Sequence, residues 1–306
     1  FVTLTSNSSK VFTDKLYGIE NIIGTQNNDT LYGNSSSNTL IGSDGNDTLK
    51  GAGGADILQG GTGDDVFIID VKSDATGDQI VGGADYDTVN YQGVDEGITV
   101  NLDGVTTATV TIAGNSHTLT GIEYVIGTQY NDNITGDLNL NKIQGMGGND
   151  NIAGQDGSDK IYGGADVADS TSSGDDTLDG KAGDDLIYGG DGNDLISGGT
   201  GKDTLYGEDG IDVINAEGDD DTIFAGSGND TLNGGADNDT ILFIDSTVGI
   251  QINLDSSVQG GIAALRAVGD GTDVLISIEN ATGSNSADTI YGDGSTNILN
   301  ILYQKF

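Results

Sequence analysis

The 306 residues carry a formal net charge of −39, with 49 acidic against 10 basic side chains, and only 34 % are apolar. Such a balance excludes a nucleic-acid partner and an anionic membrane surface, both of which would repel the chain. Cysteine and proline are absent, so there are no disulfides or thiolate metal sites, and no residue lacks the N–H that a strand ladder needs.

In chain order, FVTLT at 1–5 alternates like the tail of a strand. The chain opens on Phe1 instead of Met and is expected to be a piece of something longer. GIENIIG at 18–24 then leads into a strict nine-residue repeat: GTQNNDTLY, GNSSSNTLI, GSDGNDTLK, GAGGADILQ and GGTGDDVFI fill residues 24–68. GGADYDTVN at 82–90 reads as one further, degenerate turn. GITVNLDG at 97–104 alternates through Ile98, Val100 and Leu102, a half-buried strand signal. GIEYVIG at 121–127 opens a second array over 127–242, interrupted by one insertion at 163–179. GIQINLDSS at 249–257 and SIENATG at 277–283 repeat the pattern before two last nonapeptides at 283–300. No apolar run approaches the length of a membrane span.

Each place in the nonapeptide has a physical role. Glycines at positions 1, 2 and 4 permit a tight turn with positive φ. Aspartate at position 6 ends the turn. Position 8 is always Leu, Ile or Phe in the two longer arrays, from Leu31 to Phe67 and from Ile134 to Ile241. Positions 7–9 are therefore expected to form a short strand whose middle side chain points inward. Two nonapeptides make one coil, and stacked coils give two parallel sheets over a thin aliphatic core. The expected fold is all-β: a parallel β-roll solenoid in three blocks of nonapeptides, separated by non-repetitive β segments that cap the rolls. The expected domains are 1–90, 91–242 and 243–306.

Residues 18 apart then lie above one another, at roughly the 4.8 Å spacing of paired strands. Asp132 falls near Asp150 and Asp194 near Asp212. Carboxylates that close repel one another. A hard cation resolves the conflict, because Ca²⁺ takes roughly 6–8 carboxylate and carbonyl oxygens and glycine turns bare their carbonyls. The acidic residues are 43 Asp against 6 Glu, a bias that a merely solvated surface would not need. A disordered acidic linker would have no reason to keep an aliphatic residue at every ninth place. The second nonapeptide of each array carries Asn at position 6 (Asn38, Asn141 and Asn297), which is expected where only part of an ion cage can form.

These nonapeptides resemble the repeats-in-toxin (RTX) family of calcium-binding parallel β-rolls. The resemblance implies that each ion lies between turns 18 residues apart, held by turn carbonyls and the carboxylate at position 6. Carried onto this sequence, one column of the long array is Asp132, Asp150, Asp176, Asp194, Asp212 and Asp230. The opposite column is Asp159, Asp185, Asp203, Asp221 and Asp239. The first array offers Asp29, Asp47 and Asp65, with Asp56 opposite, and the third offers Asp288. On the order of a dozen Ca²⁺ ions are expected if each stacked turn pair takes one. The insertion should loop outward and preserve both columns, leaving the site beside Asp176 in question. The resemblance also implies type I secretion and folding outside the cell, where calcium is abundant.

No catalytic constellation is visible. Adjacent acids such as Asp184 and Asp185 should point to different faces. His117 stands alone without a second histidine or a nucleophile motif, and is expected to be a surface residue of a strand. Two function classes stand: a structural module of an extracellular or cell-surface protein (surface layer, fibre or adhesin), or an accessory roll beside a secreted enzyme. Calcium is the expected partner. Head-to-tail self-association through open sheet edges, and a polysaccharide bound on a tyrosine ladder of Tyr162, Tyr188 and Tyr206, are further expectations; neither nucleic acid nor membrane insertion is.

Overall fold

The computed structural model describes residues 2–3, 19–69, 77–102, 108–112, 115–165, 174–244, 246–254, 266–269 and 271–301. Among them there is no helix, hence none long and apolar enough to cross a membrane. The expected outward loop of the insertion lies outside the described residues. The chain divides into two compact units, Phe1–Asp137 and Leu138–Phe306.

In the first unit, Asn21–Ile23, Thr39–Asp44, Ile57–Thr62 and Gln79–Ala84 pair in parallel in one sheet. Thr30–Tyr32, Thr48–Lys50, Val66–Ile68, Thr88–Asn90 and Tyr124–Ile126 form the other. The chain crosses between the sheets at every nonapeptide, so position 8 always returns to the same layer. Leu31, Leu40, Leu49, Leu58 and Phe67 are accordingly all buried, and Ile80 and Val89 continue the two rows. Each such side chain contributes about 1.5–3 kcal/mol by leaving water. GGADYDTVN is thus a working turn of the roll, displaced by the linker before it, which stretches the step between Asp56 and Asp78 to 22 residues.

The second unit repeats this design at greater length. Asn151–Asp156, Thr177–Ala182, Leu195–Thr200, Val213–Gly218 and Thr231–Gly235 make one parallel sheet. Lys142–Gln144, Lys160–Tyr162, Leu186–Asp191, Thr204–Asp209, Thr222–Phe224, Thr240–Leu242, Asn280–Thr282 and Leu299–Asn300 make the other. The insertion lengthens one step to 26 residues without moving the register, since Ile152 still lies beside Leu178 and Ile161 beside Ile187.

The non-repetitive segments pair on the edge strands of the rolls, as caps would. Each is a three-stranded antiparallel meander paired on both flanks. In the first unit Asn115–Thr120 runs parallel to Gln79–Ala84 and antiparallel to Ala108–Ile112, which in turn runs antiparallel to Thr99–Asn101. Thr99–Asn101 then lies parallel to Asn133–Thr135 of the following array. In the second unit Thr272–Ile276, Arg266–Val268 and Gln251–Asn253 connect Thr231–Gly235 to Thr289–Tyr291 in the same way. A meander therefore covers the edge strand of one array and also pairs with a strand of the next. The alternating residues Ile98, Val100 and Leu102, and Ile250, Ile252 and Leu254, are buried, as a half-buried strand requires.

Candidate metal centre

The functional geometry is set at position 6. Because the turn ends there, the aspartate has a backbone N–H free of its own strand and a short side chain that reaches one coil away. In the second unit Asp159, Asp185, Asp203 and Asp221 each donate that N–H to Oδ1 of the next aspartate in the column, ending at Asp239, over 2.7–3.0 Å. Asp150, Asp176, Asp194 and Asp212 do the same on the opposite side, ending at Asp230, over 2.7–2.9 Å. In the first unit Asp29, Asp47 and Asp65 form such a column at 2.7–2.9 Å, ending at Asp87. Asn38 and Asp56 donate in turn to Asp56 and Asp78. Asp132 and Asp288 accept the N–H groups of Ile98 and Ile250, each at 2.8 Å. Asp176 sits in register despite the insertion.

These carboxylates are buried apart from Asp29 and Asp288, which are half-buried. Oδ1 is satisfied by the ladder. Oδ2 of Asp47, Asp56, Asp65, Asp87, Asp185, Asp194, Asp203, Asp212, Asp221, Asp230, Asp239 and Asp288 is buried with no hydrogen-bond partner. Burying that many unpartnered charged oxygens is untenable without compensation. Burial, reinforced by the neighbouring carboxylates, pushes the Asp203 and Asp212 carboxyls up to about 8. Asp194 and Asp221 rise to about 7, and Asp176 and Asp185 to about 6, again chiefly through burial.

The unpartnered oxygens face more oxygen. A Cβ added to Gly198 would fall against both Asp203 Oδ2 and the carbonyl oxygen of Ala216, the first residue of the next turn on that side. Glycine keeps this space open, and Ala216, where a first-position glycine is replaced, still supplies its carbonyl. No group of three or more His, Cys, Asp or Glu side chains converges among the described residues. The donor set is instead a carboxylate pair completed by main-chain carbonyls, all oxygen. That chemistry suits Ca²⁺ and is unsuited to metals preferring nitrogen or sulfur. The residues present fit calcium, and the position-6 aspartates with the turn carbonyls would hold it.

Both ends of the columns hold residues that the repeat pattern did not reveal. Asp87 and Asp239 donate their N–H groups to Oε2 of Glu123 and Glu279, at 2.9 and 3.0 Å. These glutamates belong to the GIE and SIE lead-in segments, whose recurrence was the available signal. Asp78 was hidden by the altered spacing after residue 69, whereas Asp87 stands at position 6 of the degenerate turn GGADYDTVN, which was the available signal. The terminal asparagines have a physical reason: the side-chain amides of Asn38 and Asn297 donate to the carbonyls of Glu20 and Glu279 at 3.4 and 2.7 Å. Aspartate could not make that bond. His117 is not on the surface; it is fully buried.

The fold and the oxygen-lined columns define a metal-binding parallel β-roll. The family model for the RTX calcium-binding nonapeptide repeat matches residues 16–49, 32–67, 141–167, 170–205, 206–241 and 278–300, together more than half of the chain. The chain therefore belongs to the RTX calcium-binding repeat family. No curated protein matches it. Among solved structures it is similar to the extracellular lipase LipA from Serratia marcescens, at 19 % identity over 87 % of this chain and 38 % of the lipase, with a TM-score of 0.20.

Proposed function

We propose that this chain is a calcium-folded structural module of a secreted or cell-surface bacterial protein, such as a surface layer, fibre or adhesin. The observation that carries this reading is the row of buried, unpartnered carboxylate oxygens running the length of both units. Without a cation the columns oppose folding, so ion binding and folding are one event. A chain of charge −39 remains extended where calcium is scarce, passes a secretion channel, and folds outside. On this reading residues 1–90, 91–242 and 243–306 are three modules, each a β segment followed by a roll, and about a dozen ions are bound. Circular dichroism in EDTA and then in millimolar calcium tests it: β structure should appear only with calcium. A full β signal at neutral pH in EDTA would refute it.

A second reading, an accessory roll that binds polysaccharide beside a secreted enzyme, draws support from one surface. Tyr162, Tyr188, Tyr206 and Phe224 stack ring on ring at 5.0, 4.4 and 4.2 Å. A cavity of about 310 Å³ opens at the Phe224 end, lined by Tyr206, Glu208, Phe224, Leu242 and Phe243 among others. Stacking already occupies most ring faces, which suits a stabilising ladder. With no tryptophan in the chain, the part of the tyrosine emission that changes in Phe224→Ala reports this surface. Quenching by neutral oligosaccharides that is lost in Phe224→Ala would favour the second reading.

A further inference from the structure

The two meanders differ where they meet an aspartate column. Each one's last strand follows a turn that stacks on the final turn of a roll. In the second unit the sequence there is VGDGTD at 268–273, with Gly271–Asp273 against the roll, and in the first it is IAGNSH at 112–117, with Asn115–His117 against the roll. The strand registers place Asp273 beside Asp230 and His117 beside Asp78, since Val274 pairs with Thr231 and Thr118 with Gln79. Asp273 and His117 are thus equivalent residues.

Around Asp273 the arrangement is that of a repeat turn. Gly271 bridges Gly228 in parallel, and its φ of 153° places a hypothetical Cβ on the Gly228 carbonyl oxygen, so only glycine fits. Val274 donates to the Asp230 carbonyl at 2.7 Å and Thr272 to Asn229 Oδ1 at 2.8 Å. Asp230 donates its N–H to Asp273 Oδ1 at 3.2 Å, continuing the column into the meander. Asp230 is 1 % exposed and its Oδ2 has no partner; Asp273 is 5 % exposed.

Around His117 the same hydrogen bond is made by a nitrogen. Asp78 donates its N–H to Nδ1 at 3.4 Å, and Nδ1 lies 3.4 Å from Asp78 Oδ2. Imidazole stands where the second junction has carboxylate, and Asn115 replaces the glycine at the place of Gly271. Calcium takes oxygen ligands and gains nothing from imidazole. Residues 242–277 also lie outside the repeats matched by the family model.

We propose that Asp230 and Asp273 hold a calcium ion at the second junction, within the meander, and that His117 leaves the equivalent place at the first junction without one. The proposal rests on the reading that the position-6 columns bind calcium, and extends it to residues that are not nonapeptides.

Native mass spectrometry of the calcium-loaded chain counts the ions, with circular dichroism as the check on folding. Asp273→Asn should bind one ion fewer and His117→Asp one more, while His117→Ala should keep the wild-type count. Anomalous scattering from calcium-loaded wild-type crystals gives the same answer without substitution: a peak between Asp230 and Asp273, and none between Asp78 and His117. A full count in folded Asp273→Asn, or an anomalous peak at both junctions, overturns the proposal while leaving the calcium module intact. A chain that takes up no calcium at all overturns both.

Discussion

Asp220 and Asp221 are neighbours in one turn and behave as opposites. Asp221 belongs to the inner column Asp185, Asp203, Asp221 and Asp239; Asp220 belongs to an outer row with Asp184, Lys202 and Asn238. Both rows are hydrogen-bonded from coil to coil. In the outer row Lys202 donates its N–H to Asp184 Oδ1 at 2.8 Å and Asn238 its own to Asp220 Oδ1 at 3.2 Å. The outer row is exposed to water, and the Lys202 ammonium, 2.7 Å from Asp220 Oδ2, holds that carboxyl below its usual range. Burial, with Asp239 and Asp219 nearby, pushes Asp221 up to about 7. Spacing and coil-to-coil hydrogen bonding are shared, so desolvation, reinforced by an all-carboxylate column with no lysine in it, is what makes the inner row depend on a cation.

The largest test of that contrast is calcium removal. Chelation should abolish β structure and stacked-tyrosine circular dichroism together, and magnesium should restore little because it demands tighter octahedral geometry. Next comes pH. The inner carboxyls, ordinarily near 3.8, rise in the folded state to values from about 6 to about 8. The metal-free fold then binds more protons than the unfolded chain, so their contribution is full below pH about 4 and lost as pH rises through about 6 to 8. In EDTA, β signal should therefore grow on acidification. In calcium the sign reverses, because ions require ionised carboxylates, and the calcium midpoint of folding should worsen as pH falls.

Smaller effects separate the rows residue by residue. Asp221→Asn keeps the ladder acceptor but removes the inner charge. It should raise the calcium midpoint by roughly tenfold, equivalent to about 1.4 kcal/mol. Asp220→Asn and Lys202→Ala, on the solvated row, should leave the midpoint unchanged. Equal shifts for Asp220→Asn and Asp221→Asn would show that burial does not decide which row binds the ion. Below the turns, Leu205→Ala should cost about 2–5 kcal/mol in calcium-saturated stability, because Leu205 is fully buried between coils.

The rolls were legible because a fixed period ties each residue to one place. The inward row of Leu and Ile and the Asp columns follow from counting alone, and even the insertion before Asp176 leaves them intact. Tyr162, Tyr188 and Tyr206 could be aligned by the same count, and Phe224 extends their stack. Legibility failed where counting failed. The 22-residue step hid Asp78. The meanders carry strand alternation but no period, so their pairing to both neighbours, and the burial of His117, depend on contacts between residues far apart in sequence.

The meander also settles a question of parity. Thr231–Gly235 and Thr289–Tyr291 are separated in the sheet by three strands, with parallel pairing at both outer joints and antiparallel pairing at the two inner ones. Two reversals cancel, so the chain leaves the meander running in the direction in which it arrived. A meander of two strands, with one reversal, would send the next roll backwards and set its turns against a partner of opposite sense. Odd strand number makes the junction a neutral spacer: removing or adding a whole hairpin preserves polarity, whereas removing a single strand does not. Rolls of any length can be strung together by such junctions, and the five-, twelve- and two-nonapeptide arrays of this one chain are an instance of that freedom.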